Sequence, residues 1–172
     1  SMGSARLSNP RGVSFHSSLD YALVADGLNT IRKVVFTEDS LLVESVTTIA
    51  GSAGSPGSAD GSGSAARFFA PEAIQFAAQQ EAGIVLRYPA DPSVPTTPSY
   101  ALITDGHATR RMDLASFAVT TIAGKVTESG AADGEGGAAR FHSPQGMELD
   151  PKRSTVYVAD TLNHAVRMVS VA

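Results

Sequence analysis

The sequence predicts an all-β chain assembled from three tandem copies of one strand unit. Three observations carry this. Residues 46–71 (VTTIAGSAGSPGSADGSGSAARFFAP) recur at 119–144 (VTTIAGKVTESGAADGEGGAARFHSP) with a constant offset of 73 and 16 of 26 positions identical. Short apolar runs at 21–25, 100–104 and 155–159 are each followed by an aspartate, Asp26, Asp105 or Asp160. No stretch has a convincing helical period, whereas runs rich in Val, Ile and Thr bounded by Gly, Pro, Asn and Asp are frequent. An internal repeat of this kind sets the fold before any single residue does.

The elements follow in order. Ser1-Met2-Gly3-Ser4 reads as an expression remnant, leaving 5–172 as one domain with units at 5–51, 65–124 and 138–172. Arg6-Leu7-Ser8-Asn9-Pro10 is a weak copy of the block Arg140-Phe141-His142-Ser143-Pro144, and it opens a first strand over 12–16. Proline presets φ at the start of that strand. Residues 21–25 are apolar throughout, as a strand covered on both faces requires. Asp26-Gly27-Leu28-Asn29 supplies hairpin chemistry. A third strand follows at 31–36 and a fourth at 42–50, where the Thr-Thr-Ile run suits β structure.

The second unit repeats this scheme at 73–77, 100–104, 110–114 and 118–123. Proline and aspartate are 16 residues apart in units one and three but 34 apart in unit two, which therefore carries an 18-residue insertion near 79–98. Pro89, Pro92, Pro95 and Pro98 punctuate it at the three-residue period of a polyproline II helix. The third unit gives strands at 146–149, 155–159 and 165–169 and lacks the fourth, leaving the last of these as an unpaired edge.

The connections 46–71 and 119–144 look like Gly/Ser linkers by composition alone. Their fixed length and matched Asp60/Asp133, Arg67/Arg140 and Phe68/Phe141 argue instead for loops ordered against the scaffold, with both phenylalanines buried as anchors.

Pro-x-Gly, a strand closing on Ala-Asp, then x-x-Asn and Ile/Val-Arg, and finally Thr-Ile-Ala-Gly together resemble the NHL repeat. YALVADGLNTIR (21–32) and YVADTLNHAVR (157–167) are the best copies. The resemblance covers nearly the whole chain outside the remnant and the insertion. It implies a partial β-propeller of three NHL-like blades, each of about four antiparallel strands, with the third incomplete. Unit two departs from the pattern with Ala73 in place of Gly and Ala108 in place of Asn. Family members bind proteins or RNA, and one branch is a metal-dependent lyase.

The recurring Asp26/Arg32, Asp105/Arg111 and Asp160/Arg167 are expected to pair within each unit for structural reasons, with Asn29 and Asn163 in the turns. Asp60-Gly61 and Asp133-Gly134 lack the further ligands and the closing Glu of a calcium loop. Isolated surface histidines are the favoured account of His16, His107, His142 and His164; the competing account has His16 and His142 facing a central channel and His107 and His164 at a rim, with no metal-ligand spacing among them. With no cysteine, thiolate chemistry and disulfides are excluded. A net charge of −4 without a basic run disfavours nucleic acid, and no apolar run is long enough to span a membrane.

The sequence thus points to a non-catalytic interaction module with no cofactor, metal or catalytic residue. It would meet a protein or other macromolecular partner through loops carrying Asp60, Arg67, Asp133, Arg140 and the proline ladder. The competing classes are a metal-dependent enzyme with its site at a channel mouth and an RNA-binding surface. Three blades leave open ends, for which two accounts fit: a piece of a longer propeller, or two copies paired into a six-bladed ring, the second being the expectation.

Overall fold

The computed structural model describes residues 6–16, 20–37, 42–77, 99–150 and 154–171. Ser1-Met2-Gly3-Ser4 and the four prolines of the insertion lie outside them. The chain is all-β, with short 3₁₀ turns at Gly63–Ala65, Gly136–Ala138 and Thr161–Asn163 as the only helical geometry among the described residues.

Among the described residues, twelve strands form three antiparallel sheets. The first is a meander of β1 (Pro10–Phe15), β2 (Tyr21–Asp26), β3 (Thr30–Phe36) and β4 (Val43–Gly51). The connection that follows contributes a two-residue strand, β5 (Gly61–Ser62). Next come β6 (Pro71–Phe76), β7 (Tyr100–Asp105), β8 (Ala108–Asp113) and β9 (Ala118–Gly124). The second sheet runs β5-β9-β8-β7-β6. The third holds β10 (Pro144–Asp150), β11 (Thr155–Asp160) and β12 (Ala165–Ser170). The short β5 was not expected, because nothing in Gly-Ser marks a strand.

The sheets are copies of one another down to their irregularities. Pro10 pairs with Asp26, Pro71 with Asp105 and Pro144 with Asp160, and a bulge follows the proline each time. A bulge bends its strand and raises the local twist, so each first strand is bent just after its proline.

The sheets stack face to face through two cores. Leu23, Ala25 and Ile31 of the first sheet meet Ile74, Phe76, Ile103 and Met112 of the second, with Phe68 between them. Leu102 on the other face of the second sheet joins Val156, Val158 and Val169 of the third, with Phe141 between them. This is why β7 is apolar at successive positions: both of its faces are covered. Burying each such side chain contributes about 1.5–3 kcal/mol.

Two glycine positions show how closely the pieces approach. A Cβ on Gly12 would lie 2.5 Å from the Glu72 carbonyl and 2.8 Å from the Ala73 Cα, so β1 can press on β6 only without a side chain there. Gly51 and its repeat Gly124 have φ of +90° and +87°. A Cβ there would meet the Asn29 carbonyl at 2.3 Å and the His107 carbonyl at 2.5 Å.

Candidate functional site: repeated aspartate–arginine stations

Strand pairing puts Asp26, Asp105 and Asp160 at one end of the three sheets, next to the hairpin turns and both long connections. All three aspartates are fully buried. An isolated buried carboxylate is costly, so each requires donors. Asp105 Oδ1 accepts the N–H groups of Phe69 (2.9 Å) and Ala70 (2.7 Å), which tie down the incoming connection. Asp160 Oδ1 accepts the His142 N–H at 2.7 Å and Asp26 Oδ1 the Ser8 N–H at 2.7 Å, at equivalent points of their units.

In the second and third sheets the arginine completes the station. Arg110 Nη1 donates to Asp105 Oδ2 at 2.9 Å and to the Arg67 carbonyl. Its Nη2 donates to the Ala59 carbonyl and to Asp60, both at 2.9 Å, while the guanidinium lies 4.9 Å from the Phe68 ring centroid. Arg167 repeats this pattern, reaching Asp160 at 3.1 Å, the Arg140 and Ala132 carbonyls and Asp133, 5.2 Å from the centroid of Phe141. Arg32 stands 3.7 Å from Asp26 Oδ2, and among the described residues no such connection crosses it.

Arg111, expected to pair with Asp105, does not. It lies over the Tyr100 ring at 4.0 Å, on the other face of β8. The hairpins differ in length: Asp26 pairs with Thr30, Asp105 with Ala108 and Asp160 with Ala165. The station arginine is two residues beyond that partner in every case, which selects Arg110. The two-residue turn Gly106-His107 was the signal available in the sequence.

The connections carry matched hydrogen bonds. Gly57 N–H donates to the Phe68 carbonyl (3.1 Å) and Gly130 N–H to that of Phe141 (3.0 Å); Arg67 N–H donates to Ala59 and Arg140 N–H to Ala132, both at 2.9 Å. Arg67 and Arg140 also turn their guanidinium groups onto nearby loop carbonyls. Asn29 donates to the Phe69 carbonyl at 2.6 Å and Asn163 to that of Gly130 at 2.7 Å, so the hairpin asparagines hold the connections too. Phe68 and Phe141 are buried.

The electrostatics follow from these contacts. Burial pushes the Asp105 carboxyl up, against the Ala70 N–H, the Arg110 charge and the Phe69 N–H. Burial alone would raise Asp60 as well. There the Thr121 N–H, the Arg110 guanidinium and the Thr121 hydroxyl outweigh it and hold the carboxyl below its ordinary range. His107 and His142, read from sequence as differently placed, meet edge to face at 5.6 Å, and His107 Nδ1 accepts the Ser143 N–H at 3.1 Å. His16 stacks on Tyr21 at 4.5 Å with Phe76 at its edge. No group of three or more His, Asp or Glu residues able to hold a metal occurs among the described residues.

β6 starts at the aspartate end and finishes at Phe76, paired with Ala101, at the opposite end of the sheet. Pro89, Pro92, Pro95 and Pro98 lie outside the described residues. No helix among the described residues is long and apolar enough to cross a membrane.

No family model matches the chain, and no curated protein matches it. Solved structures do. An auxiliary nutrient binding protein from Bacteroides ovatus ATCC 8483 is 25% identical with a TM-score of 0.77, over 98% of this chain and 39% of that one. Another, from Bacteroides thetaiotaomicron VPI-5482, is 24% identical with a TM-score of 0.73, over 91% and 36%. A candidate phosphatase from the latter organism is 20% identical with a TM-score of 0.73, over 92% and 34%. The chain therefore spans between a third and two-fifths of the length of these proteins.

Proposed function

We propose that the three sheets are consecutive NHL-like blades of a β-propeller and that the chain is part of a non-catalytic binding scaffold. One observation carries this reading. The buried charged groups of the second and third sheets are spent on holding the connections, with Arg110 bound to Asp105, Asp60 and two loop carbonyls. Groups so tied are poor acids, bases or ligands, and recognition falls to the exposed loop surfaces of a rigid frame. The likeness to a nutrient binding protein supports a binding role. The partner in this reading is a protein or other macromolecule, met at the aspartate end by the connections that present Asp60, Arg67, Asp133 and Arg140. The insertion carrying Pro89, Pro92, Pro95 and Pro98 is a further contact loop in this reading.

The test is a thermal-shift and hydrogen-exchange screen of the intact chain against soluble proteins and polysaccharides. Protection confined to 52–66 and 125–139, with the ligand recovered unchanged, supports the scaffold. Conversion of a ligand with time overturns it.

Pairing of two copies is a further part of the proposal. Val13 on the outer face of the first sheet and Val166 and Met168 on that of the third are 60%, 72% and 71% exposed. Apolar faces of this kind favour association. Light scattering after gel filtration tests it, and a monomer at high concentration removes the dimer.

A further inference from the structure

The two Gly-rich connections enter their sheets at matching positions but are held there differently. In the second sheet the Phe69 and Ala70 N–H groups both donate to Asp105 Oδ1, at 2.9 and 2.7 Å. The repeat maps these residues onto His142 and Ser143. In the third sheet Asp160 Oδ1 keeps the His142 N–H at 2.7 Å, whereas the Ser143 N–H goes to His107 Nδ1 at 3.1 Å. A titratable imidazole has taken over one of the two bonds that a carboxylate makes in the sister sheet.

His107 also holds the same connection near its start, where its own N–H donates to the Val126 carbonyl at 3.0 Å. The counterparts on the first connection are made without an imidazole. There the Leu28 carbonyl accepts the Gly54 N–H at 3.1 Å, and Asn29 donates to the Phe69 carbonyl at 2.6 Å.

To accept from Ser143, Nδ1 must lack a hydrogen, so neutral His107 carries its hydrogen on Nε2. Acid places a second hydrogen on Nδ1. Two N–H groups then face each other and the Ser143 bond is lost. The titratable groups around the ring are few. His142, 5.6 Å away between centroids, opposes a charge on His107, and Asp160 of β11 favours it. Asp160 is already engaged by Arg167 and Asn163. Lys125 and Glu128, on either side of Val126, pair with each other at 3.0 Å. His164 is exposed in the turn whose Leu162 N–H donates to the His142 carbonyl.

We infer that His107 is an acid-released latch on the connection 126–143, and that the sister connection 53–70 has none. The grip is complete above about pH 6.5, the ordinary histidine value, and declines as pH falls toward the lower value of the closed form. The acceptor on the first connection is a carboxylate that titrates from 3.8, raised by burial and steadied by Arg110. The latch rests on the reading that these connections meet the partner. Acid then withdraws one of two contact loops and leaves the other in place.

Amide exchange of the free chain, read by NMR at pH 7.5 and 5.5, tests this. Comparing 140–143 with 67–70 in one sample cancels the intrinsic effect of pH on exchange. The ratio is expected to rise about ten-fold on acidification, the scale of one lost hydrogen bond with some added repulsion. In His107→Gln, whose side-chain carbonyl accepts without titrating, the ratio stays constant. The imidazole ¹⁵N spectrum at pH 7.5 is expected to show His107 with its hydrogen on Nε2. Equal loosening of both connections overturns the latch, as does the same rise in the Gln variant or a hydrogen on Nδ1 at pH 7.5. The ratio and the tautomer are read on the unsubstituted chain, so a folding defect in the variant cannot imitate the result. No partner is present in this experiment. Its failure therefore removes the latch and leaves the scaffold, whereas turnover of a ligand in the screen above removes the scaffold alone.

Discussion

Asp105 and Arg110 are both fully buried and joined at 2.9 Å, and together they fasten the connection from the first sheet onto the second. Neither charge reaches bulk solvent, so each depends on the other and on loop backbone atoms for compensation.

Arg110→Ala is expected to destabilise the chain by about 3–5 kcal/mol, because it leaves an uncompensated buried carboxylate. Arg111→Ala, which removes only a stacked side chain on Tyr100, is expected to cost about 0.5–1 kcal/mol. Urea titration of both variants checks this, and equal losses would contradict the assignment of Arg110 to the station.

Phe68→Ala and Phe141→Ala are each expected to cost about 3–5 kcal/mol, since both rings are buried between sheets. The same packing implies that the Gly/Ser-rich connection resists proteases. Limited proteolysis of the native chain is expected to spare 51–65, whereas the Phe68 variant is cut there. Rapid cleavage of the parent in that stretch would mark a true linker.

Gly124→Ala places a Cβ at positive φ, 2.5 Å from the His107 carbonyl and 2.9 Å from the Phe141 ring. The expected loss exceeds about 1 kcal/mol, because strain and overlap act together. Gly137→Ala, with nothing within 4 Å of its Cβ, serves as the tolerant control in thermal melts.

Acidification is expected to loosen the His107 turn. Burial lowers the pKa of His107 from 6.5, and the neighbouring His142 adds to the effect against an opposing pull from Asp160. The unfolded chain therefore binds more protons across that interval. The contribution is fully present above about pH 6.5 and declines as pH falls toward the lowered folded value. Protonation at Nδ1 also removes the acceptor of the Ser143 N–H. His16, lowered chiefly by burial with Asp20 opposing, acts in the same sense. Urea midpoints at pH 7.5 and 5.5 should fall in that order, and His107→Gln should narrow the difference. An unchanged difference in that variant would remove His107 as a source.

Every described strand but β5 was legible, because a run such as Tyr-Ala-Leu-Val-Ala between turn residues has one physical use. The order hidden in the Gly/Ser connections was legible too, through the repeat: Asp60/Asp133 and Phe68/Phe141 hold their places while the serines between them drift. Arg110 was read one residue too late, because matching by sequence distance from the aspartate ignores hairpin length. Pairing obeys cross-strand register, which only the two-residue turn Gly106-His107 reveals. β5 was missed because its two residues form a strand only where β9 offers an edge. The meeting of His107 with His142 left no sequence signal, since it joins a hairpin of one sheet to the connection entering the next.

By itself the sequence determined the repeat, the class and the positions of its strands, since apolar runs and turn residues act locally. Only the tertiary structure decided which arginine each aspartate holds and which end of the sheets the two Gly-rich connections share. Those depend on register and on contacts between sheets, where residues tens of positions apart in the chain are brought within hydrogen-bonding distance.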